Sequence, residues 1–145
     1  DCQRTMRLVE SAGNMQVCFH RAVDLSRDYF EAIEQIINCG CTRILTSGGA
    51  NKAVEGFKNI KRAQELYGNK IEIMVGSGIH AENVSKFYEI GIRNFHLSGK
   101  VQIDSLMTYR KEGVSMGAIS AEEEYKITQT DYKKIEDVKK VLELI

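Results

Sequence analysis

Apolar positions along the chain cluster in four short runs, and each run breaks at a polar or glycine-rich tip. The runs and their tips are Cys18-Phe19-His20-Arg21, Ile44-Leu45-Thr46-Ser47-Gly48-Gly49, Ile73-Met74-Val75-Gly76-Ser77-Gly78 and Phe95-His96-Leu97-Ser98-Gly99. Segments with helical spacing follow the first three. Strands are predicted at 15–19, 43–46, 71–75 and 93–97, recurring about every 22–28 residues as compact βα units do. Helices are predicted at 2–12, from a Ser26 or Asp28 cap to Asn38, beyond the Gly48-Gly49-Ala50-Asn51 turn, at 81–90 and at 131–144. Their apolar faces are Phe30, Ile33, Ile36 and Ile37; Val54, Phe57, Ile60 and Leu66; Val84, Phe87 and Ile90; and Ile135, Val138, Val141 and Leu142. Residues 99–131 have no clear period beyond a short strand expected at Val114-Ser115-Met116, and a loop of that length is commonly functional or mobile.

Repetition of strand, tip and helix makes the chain an α/β protein whose site lies at the carboxyl edge of a parallel sheet. Both a self-contained doubly wound sheet and a piece of a (β/α)8 barrel fit this order. Patterning favours the barrel. Val17 and Phe19 alternate with Cys18 and His20, and Phe95 and Leu97 alternate with His96 and Ser98, so one strand face is semi-polar near its carboxyl end. Central strands of an open sheet more often read as unbroken Val, Ile and Leu.

The length, 145 residues, fits one domain, residues 1–145. Lys plus Arg and Asp plus Glu number 20 each, giving no sign of a nucleic-acid partner or an anionic membrane surface. No apolar run approaches the roughly 18 residues of a membrane span, and residues 1–8 show no signal-peptide stretch. The opening residues read as the middle of a helix, so a longer protein lacking its amino-terminal part is expected. Four irregularly spaced cysteines fit a reducing cytoplasm better than a disulfide scaffold.

The tips carry the candidate chemistry. Gly76-Ser77-Gly78 and Thr46-Ser47-Gly48 let backbone N–H groups approach an anion, with Ser98 beside them, although tight βα turns explain the same glycines. His20 or Asp24 could transfer a proton and Arg21 could clamp a phosphate or carboxylate; an Arg21–Asp24 ion pair that only shapes the loop is the plainer alternative. Cys18, His20 and His96 together would make a soft site for Cu(I) or Zn(II). Cys39-Gly40-Cys41 has the look of a thiolate chelate, but a helix stop flanked by two small buried residues accounts for it. His80 sits at a helix start without an assigned role.

Phe19-His20-Arg21-Ala22-Val23-Asp24, Arg43-Ile44-Leu45-Thr46-Ser47-Gly48, Ile73 through Ile79 with Asn83, and Phe95-His96-Leu97-Ser98 resemble, in order and spacing, the CutC copper homeostasis family; Val54-Glu55-Gly56-Phe57 and Gly113-Val114-Ser115-Met116-Gly117 match as well. The resemblance implies a (β/α)8 TIM barrel of about 250 residues, of which this chain is similar to the carboxyl-terminal half. It also implies a cytoplasmic protein of copper homeostasis that binds Cu(I), with no settled reaction. A barrel enzyme or binding protein for a small phosphorylated or carboxylate metabolite is the alternative. A half barrel exposes two strand edges, so self-association or pairing with an absent amino-terminal half is expected. Two departures stand out: Val75-Gly76-Ser77-Gly78 replaces the family's Pro-Gly-Gly-Gly, and Cys39 and Cys41 lie outside the family pattern.

Overall fold

The structure, a computed structural model, describes residues 1–145. Four strands form one parallel sheet in the order β1 (Cys18–Phe19), β2 (Arg43–Thr46), β3 (Glu72–Gly76), β4 (Asn94–His96). Sequential order with a helix on each crossover gives the strand–helix repeat of the TIM-barrel family, present here as four of its units. The helices are α1 (Cys2–Ala12), α2 (Tyr29–Asn38), α3 (Phe57–Tyr67), α4 (Ala81–Glu89) and α5 (Tyr132–Glu143). None is long and apolar enough to cross a membrane.

Register divides the sheet into two unlike faces. Pairs Ile44↔Ile73 and Thr46↔Val75 lie toward the helices, and Ile44, Ile73 and Val75 are buried with Ile33, Ile36, Ile60, Val84 and Phe87 in one core. Each such side chain contributes about 1.5–3 kcal/mol by leaving water. Phe57 meets Phe87 edge-on at 5.5 Å between ring centres. The opposite face carries Cys18, Arg43, Leu45, Glu72, Met74, Asn94 and His96, and it is only partly covered. Arg43 on β2 grips Glu72 on β3 through Nε and Nη2.

Local chemistry sets the element ends. Asp28 caps α2, its carboxylate accepting from the N–H groups of Phe30 and Glu31 at 3.0 Å. The third helix starts later than its apolar spacing predicts. A Cβ on Gly56 would stand 2.0 Å from the Ser47 carbonyl oxygen, so two backbones touch there and hold 49–56 in turns. The helix begins only at Phe57 and buries Ile60, Ala63 and Tyr67, leaving Val54 and Leu66 exposed.

Residues 99–131 also depart from expectation. The strand predicted at 114–116 does not form; instead β5 (Lys100–Asp104) and β6 (Lys126–Thr130) make an antiparallel ribbon. Its first strand alternates polar and apolar residues, with Val101 and Ile103 on one side, whereas its second carries Ile127 as its one apolar residue. The ribbon's base is tied to the end of β4 by Asp131 N–H donating to the Gly99 carbonyl at 2.9 Å and by Thr130 Oγ1 donating to the Ser98 carbonyl at 3.1 Å. Helix α5 then packs beside α4, burying Val138.

Candidate functional site

The first tip is a 3-10 turn, Arg21–Leu25, opened by His20, whose Nδ1 accepts the Ala22 N–H at 3.0 Å. That bond leaves the proton of a neutral imidazole on Nε2. The turn buries Val23 and places Asp24 under the second tip, with its side chain 3% exposed.

Asp24 is the hub of the two tips. Its carboxylate accepts from Thr46 Oγ1 at 2.6 Å, from the Gly49 N–H at 2.9 Å, from the Ser47 N–H at 3.0 Å and from Arg21 Nε at 2.8 Å, and it shares the single Ser47 hydroxyl hydrogen, at 2.9 Å, with the Ala50 carbonyl at 2.5 Å. Burial pushes this carboxyl up, but the bonds from Thr46, Gly49, Ser47 and Arg21 outweigh burial and hold it below the usual carboxylate range. Because Thr46 gives its hydrogen to Asp24, Tyr29 must donate to Thr46 Oγ1, at 3.0 Å. Desolvation is the main cause that lifts the Tyr29 phenol to about 12. A carboxylate so fully engaged is a positioning group; it has no lone pair facing a substrate.

Arg21 is fixed by the same network. Its Nη2 donates to Ser47 Oγ at 2.6 Å and to the Ala50 carbonyl at 3.1 Å. Nη1 takes no part in these bonds, and the residue lines a cavity of about 590 Å³. Leu45, Ser77, Gly78, His96 and Ser98 share that wall. Lys100 from the ribbon and Lys134 from α5 close the far side, with Lys134 Nζ 2.6 Å from the Lys100 carbonyl oxygen. Ser77 holds a left-handed backbone, φ 75, and its Oγ donates to the Asn51 carbonyl at 2.6 Å. The amino end of α4 follows, with Asn83 Nδ2 donating to the Gly78 carbonyl at 2.8 Å. Arg21, Lys100 and Lys134 share this wall with the carboxylates of Glu82 and Asp137, and the cations, the helix start and the serine hydroxyls are the groups that suit a small anion.

Of the residues predicted for a ligand, Arg21, Ser77, Gly78, His96 and Ser98 stand on the cavity wall. Thr46 and Ser47 stand behind it, both 0% exposed and bonded to Asp24. Gly48 and Gly76 are buried too, Gly76 against Leu45 and His96. His20 is exposed at the edge, against Phe19. Lys100, Lys134 and His80 line the cavity without having been expected there. Lys100 directly follows the Ser98-Gly99 tip, a signal the sequence did carry; Lys134 arrives only through the packing of α5 on α4.

The soft-metal set needs correcting. Cys18 and His20 belong to β1 and its tip, whereas His96 ends β4, at the other edge of the sheet. Three strand spacings separate them, roughly 14 Å at about 4.8 Å each. Desolvation pushes the Cys18 thiol up, against a smaller lowering by Arg43, which disfavours the thiolate a metal needs. No three His, Cys, Asp or Glu side chains converge where a metal ion could be held. The donors present therefore do not fit copper at this mouth.

Comparison with known proteins bears on the same residues. The profile described as CutC family matches residues 1–101. Family protein CutC of Parabacteroides distasonis is 41% identical over 130 residues, covering 89% of this chain and 54% of the relative. That of Chromobacterium violaceum is 38% identical over 144 residues, 99% of this chain and 58% of the relative. Among solved structures, CutC of Streptococcus agalactiae, named there for copper homeostasis, is similar at a TM-score of 0.60 and 34% identity over 66% of this chain and 48% of that one. The chain thus spans about half the length of the curated relatives it matches.

Proposed function

The chain belongs to the CutC family, and from that premise we propose that its strand-tip cavity binds a small phosphorylated or carboxylate metabolite. One observation carries this reading: Arg21 is locked by Asp24, Ser47 and Ala50 while lining the cavity with Nη1 outside those bonds. A guanidinium already fixed in place loses little freedom when it clamps an anion. Gly78, Ser98 and the amino end of α4 supply neutral donors, and His96 on the wall supplies a proton-transfer group. Work in copper homeostasis, as the name of the Streptococcus agalactiae neighbour has it, and a cytoplasmic location suggested by four free thiols belong to the same proposal.

Thermal-shift screening of inorganic phosphate, sugar phosphates and dicarboxylates tests the reading. A ligand at 100 times its Kd stabilises by about 2.7 kcal/mol. Arg21→Lys keeps the charge but loses the planar fork, and it should abolish the ligand's shift while the ligand-free protein still unfolds cooperatively. No shift from any of these anions counts against the site.

Cu(I) binding is the second reading, supported by the name of the Streptococcus agalactiae neighbour and by the thiols, which suit Cu(I). Anaerobic competition with a chromogenic Cu(I) chelator measures it. Because Cys18 and His20 stand at the opposite edge of the sheet from His96, their Ala variants should leave the affinity unchanged, and affinity lost in Cys39→Ser or Cys41→Ser would put copper at the opposite end of the sheet.

A further inference from the structure

All four cysteines are free thiols, yet two of them are brought together by helix ends far apart in sequence. Cys2 opens α1 and Cys39 closes α2. Cys39 Sγ donates to the Cys2 carbonyl oxygen at 3.7 Å, and Cys2 Sγ donates to Gln35 Oε1, one turn before Cys39, at 3.6 Å. Burial first, and the neighbouring Cys2 thiol second, push the Cys39 thiol up. Cys39 is 7% exposed, whereas Cys2 is open to solvent. Both line a separate cavity of about 190 Å³ beside α1, so a small reagent can reach the exposed sulfur first and the buried one next. The remaining thiols are placed differently: Cys41 is 5% exposed within the core, and Cys18 stands on the other face of the sheet.

We propose that Cys2 and Cys39 are a redox pair, which a small-molecule disulfide of the glutathione type converts to an intramolecular disulfide. The Cys2 thiolate, its proton released to solvent, attacks one sulfur of the oxidant. A mixed disulfide forms and one glutathione thiolate leaves, taking up a proton. The Cys39 thiolate, having likewise released its proton, then attacks the Cys2 sulfur, breaks the mixed disulfide and releases the second glutathione. Two protein thiols lose two electrons and two protons, and one oxidant disulfide is reduced to two thiols. The product staples α1, which buries no residue of its own, to the carboxyl end of α2. This inference is independent of the strand-tip cavity and of any anion bound there.

The test uses the whole chain, oxidised with glutathione disulfide, blocked with N-ethylmaleimide and digested with trypsin. Expected are a fall in alkylatable thiols from four to two, a monomer lighter by two hydrogens, and tryptic peptide 1–4 linked to 28–43. Since the second peptide holds Cys39 and Cys41, Cys41→Ser must keep the linkage and Cys39→Ser must lose it. Cys2→Ser, altering an exposed side chain, must leave Cys39 alkylatable after oxidation, which keeps the test decisive even where Cys39→Ser fails to fold. Hydrogen exchange of α1 amides should slow about tenfold on oxidation and recover with dithiothreitol. A stable mixed disulfide on Cys2 without linkage, a bond through Cys18 or Cys41, or only intermolecular dimers would overturn the assignment.

Discussion

Arg21 Nε stands 2.8 Å from Asp24 Oδ2 across a single 3-10 turn, and this pair joins the tip of β1 to the loop after β2. Asp24 is buried and Arg21 only in part, so the acid carries the structural weight and the base faces the cavity. Asp24→Asn leaves the Arg21 charge short of its partner and turns an N–H₂ toward donors. It should lower stability by roughly 3 kcal/mol in urea unfolding, and anion binding should fall with it because Arg21 loses its anchor. An Asp24→Asn variant as stable as the parent would remove the hub.

Acid should reveal the same group. A carboxyl held below its ordinary value contributes stability that is complete above the unfolded value, about 3.9, and declines as pH falls through the folded value. The stability gap between the parent and Asp24→Asn should therefore be widest near neutrality and close as the pH drops below about 4. Urea unfolding at stepped pH measures it; a gap that widens in acid contradicts the depressed carboxyl.

Ser77 occupies a left-handed backbone, φ 75, where a side chain costs roughly 1 kcal/mol. Its Oγ bond to the Asn51 carbonyl offsets that cost. Ser77→Gly should be near neutral, losing the bond and the strain together. Ser77→Ala keeps the strain and loses the bond, so it should cost about 1 kcal/mol. Thermal unfolding of the two variants checks the order, and Ala above Gly would refute it.

Gly56→Ala sets a methyl against the Ser47 carbonyl and the Gly48 Cα, both backbone atoms that cannot swing aside. A loss of about 3 kcal/mol is expected, together with loss of the anion-induced thermal shift, because residues 47–50 hold Arg21. Full stability in this variant would mean the loop backbone can yield.

Strands β1 and β4 each have a neighbour on one side only. Unpaired strand backbone next to a partly apolar face promotes association. Light scattering should give a mass above that of one chain, rising with concentration. A single-chain mass at every concentration would contradict the expectation.

Helix and strand positions were legible in the sequence where period and punctuation agreed. Asp28 as a cap and Ile33 and Ile36 as a buried stripe follow from local rules that tertiary contacts reinforce. The delayed start of α3 was not legible, because it depends on Gly48 and Gly56 meeting backbone to backbone across the loop. The β5–β6 ribbon was legible only in part: Val101 and Ile103 alternate with polar neighbours in β5, but β6 has one apolar residue and gains its place from pairing with β5. At the site, the side of the sheet was readable from alternation alone. Distance across the sheet was not: Cys18 and His96 share a face but stand at opposite edges, and only strand order shows it.

Arg43 and Glu72 cross from β2 to β3 on the less covered face. Each charge is answered inside these four strands, so whatever lies against that face meets no unmatched ion and need not supply one. Electrostatically the four-strand unit is self-contained there. Residues on an opposing surface can change hydropathy or sign without leaving this pair stranded, and a mutation at either position is felt first inside this chain.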